Sequence, residues 1–266
     1  MQDLLVPPSL LYSYRPARAD LTREREILLG NKVWFSTPDQ FNDPFELRPH
    51  FHFSDNYEPP QEVVDRFAQL LPSGLRGIAV NAIKDHFSDP AKRDAMKKRI
   101  SANLYDALHT TSIACFAEDA ADIRMWSYYA SSHKGICIGY SFKEPWKAGS
   151  ITLTPEKVIY QKEYPRIMLE ATMDATASDP DARKKALLTK AEEWSGEREW
   201  RCIRPMIHAG HQAIPPHAVC SVVLGARIES SQRDAVLAML KERAGDVRVY
   251  QARIADDRFE IAIDPF

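Results

Sequence analysis

The 266-residue chain carries 35 Lys and Arg against 37 Asp and Glu, a net charge of −2, and 44% of its residues are hydrophobic. That balance excludes a global electrostatic pull toward nucleic acid or anionic lipid, and 18 prolines with 10 glycines exclude a collagen-like or wholly disordered chain. No apolar run approaches the ~18 residues of a membrane span and the first residues lack the basic start and apolar stretch of a signal peptide, so the expectation is a cytoplasmic protein with no membrane partner.

In chain order, Leu10 to Arg15 reads as a short strand stopped by Pro16, since the residue before proline is held extended. Asp20 precedes a helix with Leu21, Ile27, Leu28 and Leu29 as its apolar positions and Gly30-Asn31 as its stop. Lys32 to Thr37 reads as a second strand, and Pro38 opens a polar-aromatic turn running to Glu46. Gln61 to Leu71 and Asp89 to Leu108 both space their apolar residues by three and four, so the stretch at about 61–109 is expected as a helical insertion or lid. Ser112 to Phe116 is a buried strand. A helix around Arg124 to Ala130 ends at His133-Lys134-Gly135, basic with a glycine just past it, as the helix dipole prefers. Ile136 to Tyr140 and Val158 to Tyr160 are strands, 178–194 a polar helix, and Glu197 to Ile203 a strand. The tail reads as strand (Val219 to Ile228), helix (Gln232 to Arg243) and two strands (Val247 to Ala252, Phe259 to Ile263). The sum is one α+β domain over 1–266, a mixed, mainly antiparallel β core with inserted helices.

The chemistry concentrates in four polar-aromatic clusters. In Tyr12-Ser13-Tyr14-Arg15-Pro16, strand alternation sets Tyr12 and Tyr14 on one face and Ser13 and Arg15 on the other. The Arg15 guanidinium suits a phosphate clamp or a structural carboxylate partner. In Phe35 to Glu46, Phe35, Ser36 and Thr37 at a strand's end are ligand candidates, while two prolines enclose the turn residues Asn42 and Asp43. In Met125 to Gly135, the residues Trp126, Tyr129 and His133 follow i, i+3, i+7 spacing, as a ligand-facing stripe or a core stripe does. In Glu197-Arg198-Glu199-Trp200-Arg201, alternation gathers Glu197, Glu199 and Arg201 on one face. Crowded carboxylates of this kind have their pKa values driven apart in a cleft. His50 with His52, and the trio His208, His211 and His217, lack the partner spacings of known metal motifs, so no metal is expected. The cysteines Cys115, Cys137, Cys202 and Cys220 form no C-x-x-C pair and read as small buried hydrophobes.

In this order, the clusters resemble an uncharacterised bacterial family, a domain of unknown function whose members carry Y-x-Y-R-P, W-F-S-x-P-x-x-F-N-D-P-F-E, M-W-x-x-Y-A-x-x-H-K-G and E-x-E-W-R. Here these are Tyr12 to Pro16, Trp34 to Glu46, Met125 to Gly135 and Glu197 to Arg201. Ala117 stands where a serine is expected. More distantly, Tyr14-Arg15, Phe35-Ser36-Thr37 and Glu197-Arg198-Glu199 are similar, in order, to the elements of ADP-ribosyltransferases of the diphtheria-toxin and poly-ADP-ribose-polymerase type. That resemblance implies an ADP-ribosyltransferase-like fold and an enzyme that takes NAD as substrate. Arg15 then holds the phosphates or ribose, Ser36 supports the site and Glu199 is the catalytic acid, with Glu197 orienting or deprotonating the acceptor. Tyr12, Tyr14 or Phe35 stacks on nicotinamide. Around them Thr37, Asn42, Trp126, Tyr129 and His133 complete the implied NAD site. The implied acceptor is a protein side chain, a nucleic-acid base or water, and the implied setting is bacterial toxin or phage-defence conflict. Two other classes compete: a metal-dependent hydrolase or nuclease using Asp43, Glu46, Glu197, Glu199 and His133, and a non-catalytic binding module.

Overall fold

The computed structural model describes residues 7–16, 21–54, 57–69, 72–172 and 181–266; the expected helix cap Asp20 and positions 70–71 and 178–180 of two expected helices lie outside them. The fold is α+β, and the chain divides into two compact units. The first comprises 1–42, 110–160 and 192–266, the second 43–109 and 161–191.

The elements expected from the alternations and caps are largely present, and short strands at 146–148, 151–153, 166–168, 189–191 and 210–213 join them. They begin with β1 (Leu10–Arg15), α1 (Thr22–Leu28), β2 (Lys32–Phe35) and β3 (His50–His52). The charged stretch then gives α2 (Gln61–Gln69), α3 (Arg76–Ser88) and α4 (Pro90–His109). Next come β4 (Ser112–Ala117), α5 (Ile123–Tyr129), β5 (Ile136–Ser141), β6 (Trp146–Ala148), β7 (Ile151–Leu153), β8 (Glu156–Lys157), β9 (Ile159–Gln161) and β10 (Arg166–Met168). The remainder is α6 (Ala182–Leu188), β11 (Thr189–Ala191), β12 (Glu199–Arg204), β13 (Gly210–Ala213), β14 (Val219–Leu224), α7 (Ser230–Glu242), β15 (Arg248–Ile254) and β16 (Ile261–Pro265). The helix expected over 178–194 stops at Leu188, because Thr189 starts a strand and 192–197 tightens into a 3₁₀ turn. The expected strand at 197–203 starts two residues late: Arg198 takes a left-handed φ of 47°, which no strand accommodates.

In the first unit, eight strands form a sheet in the order β16-β15-β14-β5-β1-β4-β12-β8. Its neighbouring strands pair antiparallel except β14 and β15, whose parallel pairing needs a crossover, supplied by α7. One face buries Leu11, Ile136, Ile138 and Tyr140 against Ile27 and Leu28 of α1 and Val236 and Met239 of α7. The other buries Tyr14, Ala117, Cys137 and Val223 against Trp126 and Ala130 at α5. The sheet opens at one point. β1 meets β4 only at Tyr12 and Ala117, and Ser36, just past β2, bridges β4 at Ile113.

In the second unit, β3 pairs in parallel with β10. Val63, Val64 and Ala68 of α2 and Phe87 of α3 are buried, and Phe51 meets Tyr105 of α4 edge-on at 5.0 Å. The Tyr105 hydroxyl donates to the Pro49 carbonyl at 2.5 Å. The helical run expected at 61–109 lies wholly in this unit. Lys190 of β11 and Glu46 form an ion pair at 3.1 Å, both side chains buried.

Candidate functional site

The sheet register decides which side chains can meet. Tyr12 pairs with Ala117, and Ala117 pairs with Glu199, so these three form one row on the face that α5 covers. Directly opposite residues of antiparallel strands point to the same side. The row continues through Gly139 to Ser221. A methyl group on Gly139 would lie 3.3 Å from Cε1 of Tyr12, so the tyrosine ring leans over the glycine. Ala117, the position where a serine is expected, stands between Tyr12 and Glu199 in this row.

Glu199 begins β12 and is only 5% exposed. Its Oε1 accepts from Nε of Arg201 at 2.7 Å and its Oε2 from Nη2 at 3.2 Å, a forked pair on one strand face. Arg201 is fully buried and lies 5.6 Å from the Phe41 ring centroid. The Glu199 backbone N–H donates to the Tyr160 hydroxyl at 2.8 Å. Two-point guanidinium bonding fixes the carboxylate's plane as well as its position. Glu197, in the 3₁₀ turn before the strand, accepts a hydrogen bond from the Tyr129 hydroxyl at 2.9 Å. The acidic pair is thus held by α5 on one side and by its own strand on the other. This differs from the expected alternation, since Glu197 precedes β12.

Asp122 caps α5, accepting from the backbone N–H of Arg124 at 2.8 Å and of Met125 at 3.2 Å. Burial pushes its carboxyl up, but the Arg124 guanidinium and these N–H groups outweigh it and hold the carboxyl below its usual range. Trp126 is fully buried, meets Tyr14 edge-on at 5.3 Å and donates to the Ala120 carbonyl at 2.8 Å. The Tyr14 hydroxyl donates to the Asp119 carbonyl at 2.6 Å. His133 does not continue the helical stripe. Ser131, Ser132 and His133 all take positive φ, and the chain turns back so that the imidazole stacks on Trp126 with centroids 6.4 Å apart. Its Nε2 lies 3.1 Å from the Ser127 hydroxyl, while its Nδ1 is buried with no hydrogen-bond partner among the described residues. Gly135 follows because any side chain there would collide with the Arg15 carbonyl oxygen.

The expected residues therefore divide. Tyr12, Tyr14, Trp126, Tyr129, His133, Glu197 and Glu199 gather around the α5 face. Ser36 joins that side, since its bridge partner Ile113 belongs to the same alternating set as Ala117. Arg15 does not: it pairs with Ile136 and extends over the opposite face, toward the buried Tyr140 phenol. Burial pushes that phenol up to about 12, with Arg15 opposing the rise. The expected convergence of Arg15 with Glu199 is thus corrected by register. Phe35 is also on the far side, fully buried with the Arg204 guanidinium 4.4 Å from its ring centroid, so its face is taken. Tyr14 is likewise packed in core, which leaves Tyr12 as the half-buried ring of the three. Thr37 is buried ahead of a 3₁₀ turn, and Asn42 is exposed at the end of the first unit's opening segment. Among the described residues, no group of three or more His, Cys, Asp or Glu side chains is placed to share an ion.

Three residues absent from the sequence-based site belong to it. Arg201 was signalled by its i, i+2 spacing from Glu199. Tyr160 and Asp119 carried no local signal, because their contacts with Glu199 and Tyr14 span 39 and 105 residues.

Over residues 125–202 the chain matches the family described as Protein of unknown function (DUF2971). The matched stretch takes in the third and fourth clusters, from the α5 tryptophan to the forked Glu199–Arg201 pair. No curated protein and no solved structure matches the chain. Among the described residues, no helix is long and apolar enough to cross a membrane.

Proposed function

We propose that the chain is an ADP-ribosyltransferase-like enzyme that takes NAD as substrate and transfers ADP-ribose to a protein or nucleic-acid acceptor. The observation that carries this reading is the buried Glu199 carboxylate, oriented by the Arg201 fork and set in a row with Tyr12 across the small Ala117. Cleaving the nicotinamide–ribose bond develops an oxocarbenium-like cation, as in glycoside hydrolysis. A carboxylate fixed beforehand stabilises such charge without reorganising, an effect worth ~3–4 kcal/mol or roughly 10²–10³ in rate.

Nicotinamide leaves with the electron pair of the broken bond, and the acceptor's nucleophilic atom bonds to the ribose carbon. The acceptor's proton passes to Glu197, which Tyr129 holds in place. Tyr12 supplies the stacking surface for nicotinamide, and Ser36 supports the site from the end of β2. Arg15 has no direct part here, because it serves the opposite face. The bacterial settings that fit such chemistry are toxin action and phage defence in the cytoplasm.

The test is to incubate the protein with NAD and measure nicotinamide release, alongside thermal unfolding with and without NAD. Release together with NAD-dependent stabilisation is expected. The absence of both overturns the reading.

A further inference from the structure

The second unit contains a cavity of about 750 Å³, inside the roughly 300–1,000 Å³ range of small-ligand sites. It is built from the end of β3 and from α3 and α4, and its wall has two chemically distinct parts. One is aromatic: Phe53 and Tyr57 lie parallel with centroids 5.8 Å apart, and Phe87 meets each of them edge-on at 5.5 Å. Phe53 and Phe87 are buried, while Tyr57 is half-buried and presents ring surface to the cavity.

The other part is charged. Arg93 and Lys97, one turn apart on α4, both line the cavity. Arg93 is fixed, lying 5.7 Å from the Phe53 ring centroid and donating to the Ser54 carbonyl. Lys97 makes no ion pair among the described residues, although it is half-buried. His52 adds an imidazole whose Nδ1 lies 3.2 Å from the Phe53 carbonyl, leaving Nε2 for another partner. Two acids complete the lining. Asp94 pairs with Lys98 at 2.9 Å on the exposed face of the helix and also feels the charge of Lys97, whereas Glu58 is exposed and makes no ion pair among the described residues.

An aromatic platform, an unpaired cation beside a fixed guanidinium, and a free carboxylate at the rim match three parts of one molecule. We infer that this cavity binds a nucleoside monophosphate, with the base on Tyr57, the phosphate at Lys97 and Arg93, and Glu58 accepting from base amino or ribose hydroxyl groups. Base–aromatic stacking is tolerant of base identity, so the site selects for the phosphate and the ring together. The inference stands apart from the NAD chemistry and uses none of its residues.

The test is calorimetric titration of the full chain with AMP, with adenosine and inorganic phosphate as comparators. AMP is expected to bind at least roughly tenfold more tightly than either fragment, since a hydrogen bond to a charged group is worth about one such factor. Lys97→Glu weakens AMP by tenfold or more and leaves adenosine unchanged, while Arg99→Glu, at an exposed position of the same helix that does not line the cavity, leaves both unchanged. Glu199→Gln leaves AMP binding intact, which keeps this result separate from the fate of the NAD reading. No AMP binding at ~1 mM, or a Lys97→Glu variant that binds AMP like the parent, overturns the inference. So does a single-stranded oligonucleotide that displaces AMP at concentrations below AMP's own.

Discussion

A buried ion pair in the first unit, Arg201 with Glu199, contrasts with one in the second, Lys190 with Glu46. Arg201 and Glu199 stand two residues apart on a single strand, so their contact ties no distant segments together. Lys190 and Glu46 join opposite ends of the second unit's sequence, with a 3.1 Å contact between segments 144 positions apart (190 − 46). The first pair orients a carboxylate; the second closes a fold. An arginine fork serves orientation, because its planar donors dictate where both oxygens lie, whereas the lysine ammonium is a point charge that tolerates rotation.

The two pairs therefore respond differently to loss of one charge. Lys190→Met removes a buried counter-charge from the Glu46 carboxylate and costs about 3–5 kcal/mol, read as a lowered urea midpoint for the second unit. Glu199→Gln keeps an amide oxygen for Arg201 and costs less, about 1–3 kcal/mol, on the scale of one weakened hydrogen bond to a charge. Equal losses for the two variants would erase the comparison. A smaller effect is expected at Tyr129→Phe, which removes the hydroxyl from Glu197 and lowers stability by about 1–2 kcal/mol while reducing transfer to the acceptor more than nicotinamide release.

The smallest effect is in pH dependence. Burial, then the charge of Arg227, holds His133 below the ordinary histidine value of 6.5. As the pH falls below that value, the unfolded chain takes up a proton that the folded ring resists. The ring's contribution to stability is therefore full above about pH 6.5 and is lost as the pH drops toward the folded value. Melting temperatures of the parent and His133→Asn should converge as the pH goes from 7.5 to 5.5. Parallel curves would show that the imidazole is not held neutral.

The elements of the α5 region were legible because their signals are local. The β-rich runs at β1, β4 and β5 and the glycine after the α5 turn lie within a few residues of their sequence signals. Strand alternation also separated Arg15 from Tyr12 and Tyr14. What alternation cannot supply is which of those faces Glu199 shares, since that depends on β1, β4 and β12 pairing across some 190 residues of chain. The left-handed Arg198, which removes Glu197 from the strand, had no signal either, because its φ follows from the 3₁₀ turn before it. Phe35 looked available by its place at a strand's end, yet Arg204, from a strand far along the chain, occupies its face.

The central claim is that Glu199, on the face shared with Tyr12, performs the chemistry. Nicotinamide release from NAD by the parent and by Glu199→Gln, both shown folded by circular dichroism, tests it most directly. The account predicts a fall of roughly 10²–10³ in the variant; equal turnover by the two proteins, or none by the parent, would contradict it.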